Sequence, residues 1–199
     1  MNSGRSAVAA PILGEFARIA RYFAPLAGPG ALGLLDDAAV IDPPPGCQLV
    51  LTTDALVAGV HFLPDDAAEL VARKLLRVNL SDLAAMGATP LGYLMTTALP
   101  PECGEAWLAG FAAGLAADQS EFAIALLGGD SVATPGPATL SLTAIGSVAS
   151  GQAIRRAGAR PGDGIYVSGT IGDAALGLRV LRGDLAGLGV AERCFLAER

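Results

Sequence analysis

The sequence predicts a mixed α/β protein of α+β character, in which an N-terminal mixed-sheet domain with flanking helices precedes the start of a second α/β domain. Short apolar runs alternate with stretches that are apolar at helical spacing. Turns rich in proline and glycine separate these segments. The pattern restarts near residue 150, so we expect domains at residues 1–150 and 151–199. We expect the second to be incomplete, because one βα unit and one further helix cannot bury a core.

Hydrophobic periodicity and turn residues place the individual elements. Helices are predicted over residues 15–24, 66–88, 105–118, 173–181 and 190–199. Strands are predicted over residues 38–41, 48–53, 91–99, 123–127, 139–148 and 165–168. Short turns separate the middle strands, so we expect them to pair antiparallel.

Composition excludes several classes of function. The chain is 52% hydrophobic and 16% charged, which is typical of a folded globular protein. Its net charge of −6 argues against nucleic-acid binding, and no apolar run approaches the roughly 20 residues that cross a bilayer. Three scattered cysteines form no CxxC pair, which argues against a zinc site and favours a reduced compartment. We therefore expect a cytoplasmic protein that binds neither nucleic acid nor membranes.

One carboxylate falls on the apolar side of the longest predicted helix. That side is formed by residues at helical spacing, namely Val71, Leu75, Val78, Asp82 and Met86. An ionised carboxylate buried there would cost several kcal/mol unless it were paired. A bound cation is the simplest partner, so the sequence predicts that Asp82 is a metal ligand.

Three further acids share the local pattern of Asp82. Asp37, Asp54 and Asp130 each lie in or directly after an apolar segment, with small or hydroxyl residues such as Thr52 and Thr53 beside them. Strand ends would bring these oxygen ligands to one edge of a sheet, and oxygen ligands are those that Mg²⁺ prefers. Each acid alone is equally explained as a turn former or a helix cap. Four in one domain favour a magnesium site.

Histidine and arginine supply further candidates. His61, the only histidine, follows Asp54 by seven residues. It is either a packed core residue or part of a site, and Gly59 beside it permits a close backbone approach that favours a site. Arg155 and Arg156 are either a solvated pair or a grip for phosphate oxygens.

Together these motifs resemble the thiamine-monophosphate kinase family. The matching segments are Gly14-Glu15-Phe16, Gly33-x-x-Asp36-Asp37-Ala38-Ala39-Val40, Thr52-Thr53-Asp54-x-Leu56-Val57-x-Gly59-Val60-His61-Phe62, Val78-Asn79-Leu80-Ser81-Asp82-Leu83-Ala84-Ala85-Met86-Gly87-Ala88, Gly128-Gly129-Asp130 and Arg156-Ala157-Gly158-Ala159-x-Pro161-Gly162-Asp163-x-Ile165-Tyr166-Val167-Ser168-Gly169. The matching segments occur in the same order as in the family and extend over nearly the whole chain. The wider superfamily includes aminoimidazole ribonucleotide synthetase, selenophosphate synthetase and a hydrogenase maturation factor.

The resemblance implies a function and a set of site residues. It implies Mg²⁺-dependent transfer of the γ-phosphoryl group of ATP to thiamine monophosphate, by a homodimer formed through the sheet of the N-terminal domain. By matching motif, several Mg²⁺ ions would be held by Asp37, Thr52, Thr53, Asp54, Asp82 and Asp130. ATP would contact Gly129, Asp130 and Arg156, and His61 would contact thiamine monophosphate.

Two departures from the family pattern leave alternatives open. Leu34-Leu35 replaces a glycine-containing segment, and the 199 residues lack the aspartate-rich and Gly-Glu-Asp segments of the family's C-terminal domain. One alternative is therefore a catalytically incomplete fragment that only dimerises and binds Mg·ATP. Another superfamily member is the second alternative. The absence of a cysteine before Cys47 disfavours a selenophosphate synthetase, and the C-terminal mark of the hydrogenase maturation factor is also absent.

Overall fold

The computed structural model describes residues 14–185 and 187–197, and these form two compact units that meet in sequence between Arg156 and Ala157. The first unit contains a four-stranded sheet with helices packed on it, which confirms the predicted mixed α/β class. Among the described residues, no helix is long and apolar enough to cross a membrane.

The first unit begins with helical turns and continues with alternating strands and helices. In chain order it contains α1 (Glu15–Arg18), a π-helical segment (Ile19–Phe23), 3-10 segments (Ala24–Leu26 and Pro29–Leu34), β1 (Cys47–Val57), α2 (Ala68–Ala85), β2 (Thr89–Leu99), α3 (Glu105–Phe122), β3 (Ala125–Ala133) and β4 (Thr139–Ala149). The second unit contains α4 (Asp173–Leu181) and α5 (Val190–Ala197). The strands predicted over residues 38–41 and 165–168 are not strands in the structure.

The strand order in the sheet is β1-β4-β2-β3. β4 pairs antiparallel with both β1 and β2, whereas β2 and β3 are parallel. The expectation that consecutive middle strands pair through short turns is therefore wrong for β3 and β4, which are not neighbours. β4 alternates buried apolar residues with hydroxyl residues, which suits a sheet that helices cover on one face.

The two faces of the sheet differ in what covers them. On one face, which we call the helix face, β4 contributes Leu140, Leu142 and Ala144, all fully buried. α2 contacts β1, β4 and β2, and α3 packs beside α2. On the opposite, open face, Leu51 and Leu94 stay exposed. The open face is therefore an apolar surface of the described unit.

The carboxylate of Asp118 is fully buried, and its ion pairs connect α3 to α2. Asp118 of α3 is 0% exposed, and its two carboxylate oxygens lie 3.1 Å from Nε of Arg73 and 2.7 Å from Nε of Arg77. The hydrogen bond from Arg77 to Asp118 raises the pKa of the Arg77 guanidinium. Close to this cluster the helices approach tightly, since a Cβ added at Gly114 would lie 2.4 Å from the carbonyl oxygen of Glu69. The charge on Asp118 is thus compensated by protein groups.

Candidate functional site

Two of the predicted metal ligands meet where the C-terminal half of α2 lies against the edge strand β1. Oγ1 of Thr52 donates a hydrogen bond to Oδ2 of Asp82 at 2.7 Å. Because residues two apart in a strand point to the same face, Asp54 lies on the helix face with Thr52. The cross-strand partner of Asp54 is the buried Leu142, which places Asp54 on the same face by an independent route.

The prediction that Asp82 is buried is wrong. Its side chain is exposed, and the buried side of α2 consists of Val71, Ala72, Leu75, Leu76, Asn79, Leu80 and Leu83. At about 100° per residue, Asp82 has nearly the same direction around the helix as the buried Val71 and Leu75, so its exposure results from its position further along α2 and not from its direction. The buried polar residue of the helix is Asn79, whose Nδ2 donates to the carbonyl of Leu75 at 3.0 Å. Asp82 is therefore open to a ligand without any cost of burial.

His61 lies in a tight loop directly after β1. Its Nδ1 accepts a hydrogen bond from the backbone N–H of Val57 at 3.0 Å, which leaves Nε2 as the protonated nitrogen of the neutral ring. Gly59 has a φ of +79° in this loop, a conformation that favours glycine. The histidine is exposed, so it is not a core residue.

Lys74 is not among the predicted site residues, and its exposed side chain lies beside the loop of His61. Its Nζ donates a hydrogen bond to the carbonyl oxygen of His61. Lys74, Val78 and Asp82 are spaced by four residues, so they lie along one side of α2. The two charged ends are about 12 Å apart along the helix axis. We call the space between this side of α2 and β1 the α2–β1 groove; it has carboxylates at one end and a cation with an imidazole at the other.

A second acidic site lies at the other edge of the sheet. A cavity of about 560 Å³, which we call the β2–β3 cavity, is lined by parts of β2 and β3 and by the N-terminal segment. Its acidic lining residues are Glu15, Asp36, Asp37 and Asp130, and none of the described residues that line it is a lysine or an arginine. Thus Asp37, Gly129 and Asp130 are brought together as the motifs predict.

Gly129 has a structural reason to be glycine. A Cβ at this position would lie 1.8 Å from the carbonyl oxygen of Met95 in the neighbouring strand. The backbones of β2 and β3 approach too closely there for any side chain. The role of Gly129 against ATP stays a prediction, because the packing of the sheet by itself requires glycine.

The expectation that strand ends gather the carboxylates at one edge of the sheet is wrong. Asp54 lies within β1 and Asp130 within β3, and these are the two opposite edge strands. Across the sheet, Asp54 pairs with Leu142, Leu142 with Met95, and Met95 with Gly129. Three steps between strands correspond to about 14 Å.

The two sets of carboxylates also point to different faces. Asp130 is aligned with Thr96 and Ser141, on the open face, whereas Asp54 is on the helix face. Thr53 points away from Thr52, since its Oγ1 donates to the carbonyl of Leu142 and accepts from Thr143. Within residues 14–185 and 187–197, no three aspartate, glutamate, histidine or cysteine residues are grouped so that they could hold a metal ion.

Arg156, the remaining predicted site residue, is exposed at the end of the first unit. The chain before it is anchored at the end of α2, where the N–H of Ile154 donates to the carbonyl of Met86 at 3.0 Å. Among the described residues, no contact of the Arg156 side chain indicates what it binds.

The family pattern described as "AIR synthase related protein, N-terminal domain" matches residues 35–148, which include both acidic sites except Glu15. The chain belongs to this family. A thiamine-monophosphate kinase of Caulobacter vibrioides is 53% identical over 173 residues, covering 86% of this chain and 49% of the relative. The predicted resemblance to thiamine-monophosphate kinases is confirmed, and the chain spans about half the length of the curated relatives it matches.

Solved structures agree with this assignment to the AIR synthase related family. A thiamine-monophosphate kinase from Stenotrophomonas maltophilia has a TM-score of 0.72 and 43% identity, covering 82% of this chain and 52% of its own. The structure named "AaThiL complexed with AMPPCP and TMP" has a TM-score of 0.69 and 30% identity, with coverage of 82% and 52%. The hydrogenase maturation protein HypE in complex with ATP has a TM-score of 0.72 and 25% identity, with coverage of 84% and 50%.

Proposed function

We propose that this chain carries the N-terminal part of a thiamine-monophosphate kinase, with domains at residues 1–150 and 151–199. The observation that carries the proposal is the 53% identity to a thiamine-monophosphate kinase over 86% of the chain. The bond between the γ-phosphorus of ATP and the bridging oxygen to the β-phosphate breaks. A bond forms from the γ-phosphorus to an oxygen of thiamine monophosphate, so that thiamine diphosphate and ADP result.

Because the protein is negatively charged, the proposed reaction needs bound cations. The net charge is −6, and both candidate sites present carboxylates to ligands that are themselves polyanions. Bound Mg²⁺ would reverse the local sign and neutralise charge on the transferred phosphoryl group. The protein then contributes mainly the relative position of the two substrates.

The donor sets fit magnesium. Asp54, Asp82 and the hydroxyl of Thr52 offer only oxygen in the α2–β1 groove, and Asp37 and Asp130 do so in the β2–β3 cavity. Mg²⁺ is typically held by one or two carboxylates, with water and phosphate oxygens completing its octahedron. Two small, separate sets of oxygen ligands are therefore suited to Mg²⁺. Thr53 would contribute through its backbone carbonyl, because its hydroxyl points to the open face.

We assign ATP to the β2–β3 cavity. A volume of about 560 Å³ is within the range of ligand pockets, and Gly129 and Asp130 line it. The neighbour complexed with AMPPCP supports a nucleotide site in this fold. Arg156 would contact the phosphates of ATP, and His61 would contact thiamine monophosphate. Because His61 follows the opposite edge strand, the two substrates of one reaction would come together across the homodimer proposed below and not within a single chain.

We also propose that the chain forms a homodimer in the cytoplasm through its open sheet face. Leu51 and Val132, which do not line the β2–β3 cavity, are 61% and 46% exposed on that face. Apolar side chains exposed together on one sheet face are typical of a surface that another protein covers. Analytical ultracentrifugation of the Leu51→Asp variant tests this, since it should be monomeric where the wild type is dimeric.

The kinase proposal is tested by incubating the chain with ATP, Mg²⁺ and thiamine monophosphate and measuring thiamine diphosphate. We expect product from the wild type, and at least a 100-fold lower rate from Asp130→Asn and Asp54→Asn. Asp42→Asn is the matched control, because Asp42 is an exposed acid in a turn that lines neither site. A rate in Asp130→Asn equal to that of Asp42→Asn would contradict the assignment of Asp130.

One observation favours a second candidate, namely that the chain spans about half of its relatives. A fragment without turnover would bind Mg·ATP and release no thiamine diphosphate. Calorimetry in the presence and absence of Mg²⁺ separates the two, because metal-dependent ATP binding without product supports the fragment. Product formed from thiamine monophosphate would also exclude a role as another member of the superfamily.

A further inference from the structure

The segment that follows β4 is attached to the end of α2 two residues before Arg156. The backbone N–H of Ile154 donates a hydrogen bond to the carbonyl oxygen of Met86 at 3.0 Å. Met86 is the C-terminal cap of α2, where the backbone carbonyls have no partner within the helix. The bond therefore satisfies a group at the end of α2 and fixes one point of the segment, which we call the Ile154 anchor.

The side chain of Ile154 reinforces this anchor. A Cβ added at Gly87 would lie 3.1 Å from Cδ1 of Ile154, so the isoleucine rests on the bare backbone of that glycine. Gly87 has a φ of +70°, a conformation that favours glycine. Ile154 is 59% exposed, so burial in the hydrophobic core does not account for its position. The amide and the side chain of one residue thus both hold the segment at the end of α2.

The Ile154 anchor limits where Arg156 can lie. Arg156 follows Ile154 by two residues, so the two Cα atoms are no more than about 7 Å apart. The hydrogen-bonded residue before the anchor is Gln152, whose N–H donates to the carbonyl of Ala149 at 2.9 Å. Gln152 lies four residues before Arg156, which allows a separation of about 14 Å. Without the anchor, the volume open to the Cα of Arg156 would be about eightfold larger.

The anchor also connects Arg156 to Asp82. The N–H of Met86 donates to the carbonyl of Asp82 at 3.1 Å, and the carbonyl of Met86 accepts from Ile154. Asp82 precedes Met86 by four residues, which is about 6 Å along the helix axis. Two hydrogen bonds through one residue of α2 therefore join the backbone of a proposed metal ligand to the segment that carries a proposed phosphate ligand.

We propose that Ile154 is a positioning residue for the phosphates of ATP, because it fixes the backbone of Arg156 near the Asp82 end of the α2–β1 groove. The contact of Arg156 with ATP rests on the proposed function. A guanidinium on a fixed backbone loses less conformational freedom when it pairs with phosphate oxygens, so it binds them more tightly than one on a free segment.

The anchor lies at the other end of β2 from Asp130. β2 begins at Thr89, three residues after Met86, and Asp130 is aligned with Thr96, seven residues further along that strand. Seven residues of a strand span about 23 Å. ATP in the β2–β3 cavity would therefore meet an arginine at the Ile154 anchor across the proposed homodimer, as it would meet the second substrate.

The first test uses the full chain and compares two proline substitutions in the same segment. Ile154→Pro removes the amide donor of the anchor and should weaken binding of Mg·ATP at least 5-fold in calorimetry. Ala153→Pro is the matched control, because the N–H of Ala153 makes no hydrogen bond to the described residues. It should change the affinity less than 2-fold. Equal affinity in Ile154→Pro and wild type would overturn the proposal, as would an equal loss in both proline variants.

Side-chain substitutions test the anchor with the backbone donor intact. Ile154→Ala removes most of the contact with Gly87, so the affinity for Mg·ATP should fall about 2- to 3-fold, while the melting temperature stays close to that of the wild type. Ile154→Val keeps the branched carbon that packs on the glycine and should restore the affinity. If Ile154→Pro does not fold, full affinity in Ile154→Ala would overturn the proposal.

A double-mutant cycle separates positioning from a general effect on the fold. Because Ile154 acts through Arg156, adding Ile154→Pro to Arg156→Ala should cost no further affinity for Mg·ATP. Additive losses would contradict the positioning role, since Ile154 would then act without the arginine. In NMR relaxation, the backbone amide of Arg156 should be as rigid as those of β4 in the wild type and mobile in Ile154→Pro. An equally rigid amide in both would likewise overturn the anchor.

The outcomes for the anchor and for the kinase are distinct. Loss of Mg·ATP affinity in Arg156→Ala but not in Ile154→Pro leaves the role of Arg156 standing and overturns the anchor alone. Non-additive losses in a chain that forms no thiamine diphosphate support the anchor and contradict kinase activity of this chain. Full affinity in Arg156→Ala contradicts the assignment of Arg156 to ATP and overturns the anchor with it, even if thiamine diphosphate is formed.

Discussion

The two sides of α2 use charge in opposite ways. Towards α3, Arg73 and Arg77 surround Asp118, which is fully buried. Towards β1, Lys74 and Asp82 remain exposed, and each makes one hydrogen bond to β1 or to the loop after it. Arg73 and Lys74 are neighbours in sequence, yet one belongs to the packing of the protein and the other to an open groove.

The comparison separates the charged residues that hold α2 against α3 from those that are candidates for function. A charge that is buried needs a protein partner, and Asp118 has two. Asp82 and Lys74 stay solvated, and each makes one hydrogen bond, so the packing of the core does not explain either charge. The buried Asp118 is explained by its arginine partners, whereas the exposed charges on the β1 side of α2 are left for the candidate site.

The largest expected effect is on the α3 side. Asp118→Ala should lower the free energy of unfolding by about 1.5–3 kcal/mol, because it removes charge-assisted hydrogen bonds between α2 and α3 while the two arginines stay partly solvated. Urea unfolding followed by circular dichroism measures this. Glu121→Ala is the control, since Glu121 contacts the same arginines from a side chain that is 53% exposed and should cost no more than about 1 kcal/mol. Equal losses in both variants would mean that burial does not distinguish these carboxylates.

On the β1 side the expected effect on stability is small. Asp82→Asn should change the free energy of unfolding by less than about 1 kcal/mol, because it alters one exposed hydrogen bond to Thr52. The same substitution should reduce the rise in melting temperature that Mg²⁺ gives to the wild type with nucleotide present, and the part that depends on Asp37 and Asp130 should remain. A melting temperature well above that of the wild type without metal would instead indicate that Asp82 carries an uncompensated charge.

The smallest expected effect on the free energy of unfolding concerns the residues at which α2 and α3 end. α2 ends before Gly87, whose φ is +70°, whereas α3 ends at Ala123, which adopts a φ of +52° without being glycine. Ala123→Gly should therefore raise the free energy of unfolding by about 0.5–1 kcal/mol, and Gly87→Ala should lower it by a similar amount. Thermal unfolding of the pair measures this, and a destabilised Ala123→Gly would contradict the strain at that position.

The sequence predicted most elements and the buried side of the first half of α2. Hydrophobic spacing placed α2 within a few residues of its ends and α4 at its observed ends. Val71 and Leu75 of the predicted apolar side are buried, whereas Asp82, which has nearly the same direction around the helix, is exposed. Periodicity gives the direction of a side chain around a helix but not how far along the helix the neighbouring elements cover it, so the burial of Asp82 was predicted wrongly.

The residues of the candidate site stay a prediction, and their arrangement in the fold differs from the one the sequence suggested. Carboxylate motifs identified Asp54 and Asp130, but the strand order that sends them to opposite edges is a property of long-range pairing. Gly128-Gly129 indicated the end of a strand, whereas β3 continues through both because a neighbouring backbone fits where side chains are absent. The importance of Asp118 was missed because the helix was predicted to end there.

The position of β4 has a consequence for how the protein is made. On a ribosome, β1 emerges first, yet its only partner in the sheet is β4, whose residues follow by 82 to 102 positions, from Val57 with Thr139 to Cys47 with Ala149. Contacts at such separations form slowly, and a strand without its partner can pair with other chains. Until residue 149 has been synthesised, β1 lacks this support and neither wall of the groove around Thr52 and Asp54 is fixed. The nascent chain therefore completes the sheet beside the α2–β1 groove only after β4 has been synthesised.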